Sequence, residues 1–368
     1  MNIKKFICLI LCLIMTVSAF SFCSSAISST AEELNVLFKF GKGPETNGYA
    51  IDYRYYSPVK KNDTKKYPLV IWLHGMYNGK SDGDQLNTSE ISLWTSKDYQ
   101  KRFKGSKGAF IMVPRSLEEY GLYWSDELIY PLRRAIDKFI AKYKKNIDVT
   151  RIYIGGYSMG GKMTLKMAVA YPEMFAAIFP VCPAWVPTEK AAAQLKNTPM
   201  WLTSGVPDPL ANYFAYVTPT WNNIVVSSNR PEDLRFSSLK MVCYDNGALC
   251  SSAHESWNAV TSDLFSAEKG DYPFLGTVDG KGEKVELEYP KGLIYWLSGY
   301  KSKFKGTAAK NSGNDAVKEE GHGTGVDFIK VFFKNLFTYI KNEIKEYREG
   351  SKNKWSTTQW LLISLRTF

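Results

Sequence analysis

Short, nearly uninterrupted apolar runs recur through the middle of the chain. They are Leu69-Val70-Ile71-Trp72-Leu73, Ala109-Phe110-Ile111-Met112-Val113, Ile152-Tyr153-Ile154, Ala176 to Val181, Met200-Trp201-Leu202 and Leu239 to Tyr244. Runs without polar alternation describe strands covered on both faces, as in a parallel sheet. Helical patterns fall between them. From Glu127 to Lys144, the residues Leu128, Leu132, Ile136 and Ile140 make one apolar stripe, and a second helical stretch, Met159 to Tyr171, follows the run at Ile152. Upstream, Leu34–Phe40 and Tyr49–Tyr56 read as two strands joined by a Gly/Pro/Asn-rich turn. Strand and helix alternating over short connections predict a wound α/β fold, a mostly parallel central sheet flanked by helices.

The two ends read differently. Lys4 and Lys5 precede an apolar stretch from Phe6 to Phe22, and small residues follow at Ser24, Ser25 and Ala26. That order predicts a signal peptide over residues 1–26, and hence export. The stretch is short for a retained anchor, and bulky Phe20 and Phe22 ahead of Cys23 do not suit lipoprotein processing. The body then covers residues 27–303 and closes on the apolar helix Gly292–Tyr300. Residues 304–326, rich in Gly, Lys, Asn and Glu, predict a flexible linker. In the tail, 327–368, Phe328, Val331, Phe332, Leu336 and Ile340 form an apolar stripe with Lys330, Lys334 and Lys341 interleaved. This is an amphipathic helix suited to a membrane surface or a protein partner, or to packing on the body itself.

Composition changes the picture in two places. The chain of 368 residues is 45% hydrophobic and 23% charged, which is globular, and its net charge of +11 raises the question of nucleic acid. Residues 1–26 hold +2 of that charge and residues 301–368 hold +6, leaving +3 on the body. So small an excess makes no phosphate-tracking surface, and no groove-reading motif is present, so no nucleic-acid partner is expected. Of the six cysteines, Cys8, Cys12 and Cys23 leave with the signal peptide. Cys182 ends an apolar run and reads as a buried small hydrophobe. Cys243 and Cys250 flank a short loop and, in an oxidising compartment, either pair or stay as thiols. No metal-ligand cluster, phosphate cradle or dinucleotide motif stands out, and no cofactor is expected.

One segment bears chemistry directly. Gly156-Tyr157-Ser158-Met159-Gly160, extended by Gly161, fits the G-x-S-x-G elbow, with a strand running in at Arg151–Ile154 and a helix-forming stretch running out. A serine on so tight a turn needs small neighbours, and its hydroxyl needs a base to become a nucleophile. The chain has three histidines, His74, His254 and His322. His74 precedes the serine, His322 lies in the linker, and His254 follows the last apolar run, so elimination selects His254. Asp208, just beyond the strand at Met200, is placed to orient that imidazole; Glu232, Asp233 and Asp245 also lie in the interval. Two amides must face the developing oxyanion. Met159 follows the serine, and Met76 sits on the turn His74-Gly75-Met76 after the first apolar run, where His74 would support the turn and transfer no proton.

Taken together, Tyr67 to Gly75, Ile147 to Tyr153, Gly156 to Gly161, Phe175 to Cys182 and Pro199-Met200-Trp201 resemble the esterase branch of the α/β-hydrolases. That branch includes acetylxylan and feruloyl esterases, polyhydroxybutyrate-depolymerase-like enzymes and prolyl-oligopeptidase-like hydrolases. The resemblance runs over roughly residues 35–303 and implies a triad of Ser158, Asp208 and His254, with the first oxyanion donor at Met76. Three stretches depart from it. Pro209 to Tyr213 lacks the usual small hydrophobic-proline pattern after the acid, Thr261 to Pro290 looks like an insertion, and nothing beyond Lys303 has a counterpart. The expected activity is an exported carboxylic-ester hydrolase acting on acyl or feruloyl groups of plant polysaccharide. Trp94, Trp124, Trp185, Trp201 and Trp257 would either stack on sugar or belong to the core. A serine peptidase and a non-catalytic surface binding protein are the competing expectations, and the chain has no room for the gating domain usual in the former.

Overall fold

The structure is a computed structural model. It describes residues 33–87, 89–206, 208, 210–239, 254, 256, 274–286 and 292–310. The expected signal peptide, the linker beyond residue 310, the tail, His322, Trp257 and the Cys243/Cys250 pair lie outside the described residues.

The apolar runs become the middle of a nine-stranded sheet, ordered β1-β2-β4-β3-β5-β6-β7-β8-β9. The strands are β1 Lys39–Lys42, β2 Asp52–Tyr56, β3 Tyr67–Leu73, β4 Phe110–Pro114, β5 Ile147–Tyr157, β6 Ala177–Val181, β7 Met200–Gly205, β8 Leu234–Leu239 and β9 Phe274–Asp279. From β4 to β8 every neighbouring pair is parallel, while β1, β2 and β9 join as antiparallel edges. A strand's side chains alternate between faces, so a continuous apolar run feeds two cores at once. Leu69, Ile71, Leu73, Ile152 and Ile154 point to one core, and Val70, Trp72, Tyr153 and Phe179 point to the other. Helices Ile129–Lys142 and Met159–Ala170 cover the first, and helices Ser89–Thr95 and Leu293–Leu297 cover the second. The stripe read from the sequence is that covering face, with Leu128, Leu132, Ile136 and Ile140 all buried.

Three elements differ from the expected pattern. Residues 33–37 are helical rather than extended, and Leu34 and Phe38, one helical turn apart, are both buried. The last parallel strand is Leu234–Leu239, ahead of the apolar run at 239–244. It was hidden because Arg235, Ser237 and Ser238 interrupt it. Ser237 is tolerated at zero exposure because its hydroxyl accepts from Trp201 Nε1 at 2.8 Å and meets Thr277 Oγ1 at 2.7 Å. Part of the expected insertion, residues 274–279, is β9, paired antiparallel with β8.

Within the stretch expected as a linker, residues 304–310 lie against helix Ile129–Lys142. Arg133 Nη2 donates to Thr307 O at 2.7 Å, Arg134 Nη1 donates to Ala309 O at 3.2 Å, and Ala309 N donates to Asp137 Oδ2 at 2.9 Å. No described helix is long and apolar enough to cross a membrane.

Candidate active site

β5 leads straight into Ser158, and helix Met159–Ala170 starts on the next residue. Between them Ser158 takes φ 56° and ψ −118°, a left-handed backbone that a side chain rarely adopts. The flanking glycines answer to crowding. A Cβ on Gly156 would meet Leu73 O at 2.5 Å, and one on Gly160 would collide with the carbonyl oxygens of Leu73 and His74. These are backbone atoms at the end of β3 and cannot swing aside. Gly160→Ala is therefore expected to destabilise the fold by about 3 kcal/mol, at the upper end of overpacking costs. The check is a lower urea midpoint at unchanged slope; an unchanged midpoint would mean that the turn opens to accept the methyl group.

The other two expected side chains meet across the same sheet edge. Tyr157 pairs with Val181 and Val181 with Thr203, so the residues beyond β5, β6 and β7 emerge side by side at the strands' carboxyl ends. Asp208 follows β7, is 1% exposed, and accepts from His254 Nδ1 at 2.7 Å through Oδ2. Its other oxygen, Oδ1, accepts the backbone N–H of Leu210 at 2.8 Å and of Ala211 at 2.9 Å. Both oxygens are thus committed, and the carboxylate is fixed in the orientation that holds the imidazole. Glu232 and Asp233 lie at the opposite edge, where β8 begins, and Asp233 is bonded to Tyr300 Oη and Arg230. Asp245 lies outside the described residues.

Known esterases are similar to this chain in sequence and fold. Residues 125–231 match the family model described as Phospholipase/Carboxylesterase, a span that takes in Ser158 and Asp208. A probable carboxylesterase, SOBER1-like, of Arabidopsis thaliana is 25% identical over 179 residues, 41% of this chain and 64% of its own length. A thermostable esterase of known structure superimposes with a TM-score of 0.51 at 25% identity, covering 63% of this chain and 61% of its own. The chain has the α/β-hydrolase fold. The chain spans less than two thirds of the length of these two esterase relatives. Thermogutta terrifontis esterase 2 matches at 11% identity and a TM-score of 0.45, over 64% of this chain and 96% of its own.

In this fold the turn after β3 is pinned from three sides. His74 is fully buried; its Nε2 accepts from Ser116 N at 3.0 Å and its Nδ1 donates to Gly75 O at 2.6 Å. Trp124 Nε1 donates to His74 O at 2.9 Å, and Tyr157 Oη, from the residue ahead of Ser158, donates to Asn78 Oδ1 at 2.9 Å. Burial, helped by the charge of Arg115, pushes the His74 imidazole down to about 4, against smaller opposing effects of the Gly75 carbonyl and Asp84. It stays neutral at ordinary pH and its nitrogens are occupied, so it supports the turn rather than moving protons. Met76 rides on this turn, half exposed, and Met159 is the first residue of the helix behind Ser158. The helix N-terminus adds partial positive charge beside the serine.

His254 is 9% exposed. Burial pulls its imidazolium down, while the Asp208 hydrogen bond and the Cys182 sulfur push it up. The net displacement is upward from 6.5. Cys182 is where the sequence reading stopped short. Buried it is, but its Sγ donates to His254 O at 3.3 Å. Nothing in the apolar run ahead of it marks that contact. Of the five tryptophans, the four that are described, Trp94, Trp124, Trp185 and Trp201, are core residues, Trp185 lying beside Lys166.

Proposed function

We propose that this α/β-hydrolase is a serine carboxylic-ester hydrolase working by acyl transfer, with Ser158 as nucleophile, His254 as base and Asp208 as orienter. One observation supports this most strongly: a buried Asp208–His254 pair at 2.7 Å on the sheet edge where Ser158 sits in an elbow. In the forward step Ser158 Oγ attacks the ester carbonyl as its proton passes to His254 Nε2. The amides of Met76 and Met159 hold the resulting oxyanion. His254 then gives the proton to the departing alcohol, leaving an acyl-serine. Water, deprotonated by the same imidazole, releases the acid and restores the hydroxyl. No step calls for a cofactor.

The finer reading is an exported enzyme that removes acyl or feruloyl groups from plant polysaccharide. Its support is the signal-like residues 1–26 and the resemblance to acetylxylan and feruloyl esterases. The tail, 327–368, would hold the enzyme on a membrane surface or a protein partner through its apolar stripe. The test is a panel of p-nitrophenyl esters, acetylated xylan, methyl ferulate and a proline peptide. Turnover of the esters, with release of acetate or ferulate from the polysaccharide substrates, is the expected result. Peptide cleavage without ester turnover would replace the reading with a peptidase, and inactivity on the whole panel would leave a binding protein.

A further inference from the structure

We infer that Cys182 is a positioning residue for the proposed base, holding the main chain of His254 so that its imidazole stays aligned between Asp208 and Ser158. The inference rests on the triad reading above and adds a fourth side chain to it. Three observations support it. First, Cys182 stands in the row of residues that emerge from the parallel strands: Ser158 N donates to Val181 O at 3.0 Å, and Cys182 N donates to Thr203 O at 2.8 Å. Second, Cys182 has φ 37°, left-handed like Ser158, in a residue that is neither glycine nor asparagine. Such a backbone is costly and persists where surrounding contacts over-determine it. Third, the thiol has a specific acceptor. Sγ donates to His254 O at 3.3 Å, and it lies within 4.8 Å of donor atoms of both His254 and Asp208.

The geometry gives the thiol a task that packing alone does not require. Asp208 fixes the ring of His254 at Nδ1. The thiol holds a second point, the carbonyl of the same residue, so the histidine is tied at both its ring and its main chain. From a left-handed backbone, Cys182 reaches the histidine carbonyl through Sγ. Holding a base to within a few tenths of an ångström is what such support supplies to a reaction. Cys182 touches no reacting atom in this scheme. Among the described residues, the titratable groups facing His254 are Asp208, from the segment after β7, and Cys182, from the end of β6.

Three variants separate the thiol from the backbone. Cys182→Ala removes the donor and keeps the strained φ. Cys182→Gly removes the donor and relieves the φ, so it should melt higher than the alanine variant. Cys182→Ser restores a donor on a shorter arm. Expected are a kcat about five- to ten-fold lower in the alanine and glycine variants, the loss due to one hydrogen bond, and recovery of most of it in the serine variant. KM should stay within roughly two-fold, since the substrate is not touched. A second measurement does not depend on turnover. The protein has three histidines, so nitrogen-15 labelling of histidine gives a sparse spectrum in which His254 can be titrated. Its imidazolium should titrate closer to 6.5 in the alanine and glycine variants than in the native protein, because the bond to Asp208 loosens. If kcat and the His254 titration are unchanged in both, and only the melting temperature moves, the thiol is packing and the inference is overturned. If the native protein hydrolyses no ester, the proposed function fails, and the titration still decides the role of Cys182.

Discussion

Ser158→Ala is expected to lower kcat by about a million-fold while leaving the melting temperature within a degree or two, because removing the nucleophile of a triad costs about as much as removing the whole triad. The residual rate would come from oxyanion binding and substrate placement, which the substitution leaves intact. Stability should hold for a specific reason. Alanine keeps a Cβ, so φ 56° remains as strained as before, and the turn is held by backbone bonds that persist: Ser158 N to Val181 O at 3.0 Å and Lys162 N to Ser158 O at 2.9 Å. Ser158→Gly sharpens the point. It is equally inactive, yet glycine adopts a left-handed backbone without penalty, so it should be more stable by about 1 kcal/mol. An inactive variant more stable than the native protein is the signature of strain kept for catalysis. Retention of turnover in either variant, measured as steady-state ester hydrolysis, would place the nucleophile elsewhere.

The sheet and the serine were readable because each rests on a local rule. Leu69–Leu73 and Ile152–Ile154 could be read as doubly covered strands since burial on both faces leaves no polar position in the run. Ser158 could be read because the turn demands glycine at 156 and 160, where Leu73 and His74 carbonyls leave no room for a Cβ. Where the rule was tertiary, the reading failed or stopped short. β8 escaped notice because Ser237 is made buriable by Trp201 and Thr277, partners from two other strands. Asp208 departs from the usual local pattern, yet it is held by the amides of Leu210 and Ala211, and amides are present whatever the side chains. A deviant sequence after the acid therefore does not disturb its geometry. Cys182 carried no signal at all, since a buried thiol in an apolar run looks alike whether or not a carbonyl sits against it.

Asp208→Asn tests the pair from the other side, through its effect on both rate and pH. On the proposed mechanism the carboxylate accepts the Nδ1 proton, so Nε2 is the nitrogen that takes the proton of Ser158. An asparagine that keeps its carbonyl oxygen on Leu210 and Ala211 turns its amide N–H toward Nδ1. The imidazole then carries its proton on Nε2 and offers no lone pair to the serine. A fall in kcat of about ten-thousand-fold is expected, with the fold intact. The pH profile should move as well. A base works only when neutral, so kcat/KM falls as pH drops through the imidazolium pKa of the free enzyme. Asp208 and Cys182 hold that pKa above 6.5 against burial, so the native acid limb lies on the alkaline side of an ordinary histidine. With the carboxylate gone, burial opposes the charged form with less to offset it, and the limb moves toward acid. The same linkage affects stability. The contribution of the charged pair is fully present below the unfolded-state pKa near 6.5 and is lost as pH rises through the raised folded value, so the stability gap between native and Asp208→Asn proteins should narrow from pH 6 upward. Kinetic profiles and denaturation midpoints across pH measure both effects. An unshifted acid limb in the variant would mean that Asp208 does not set the charge of His254.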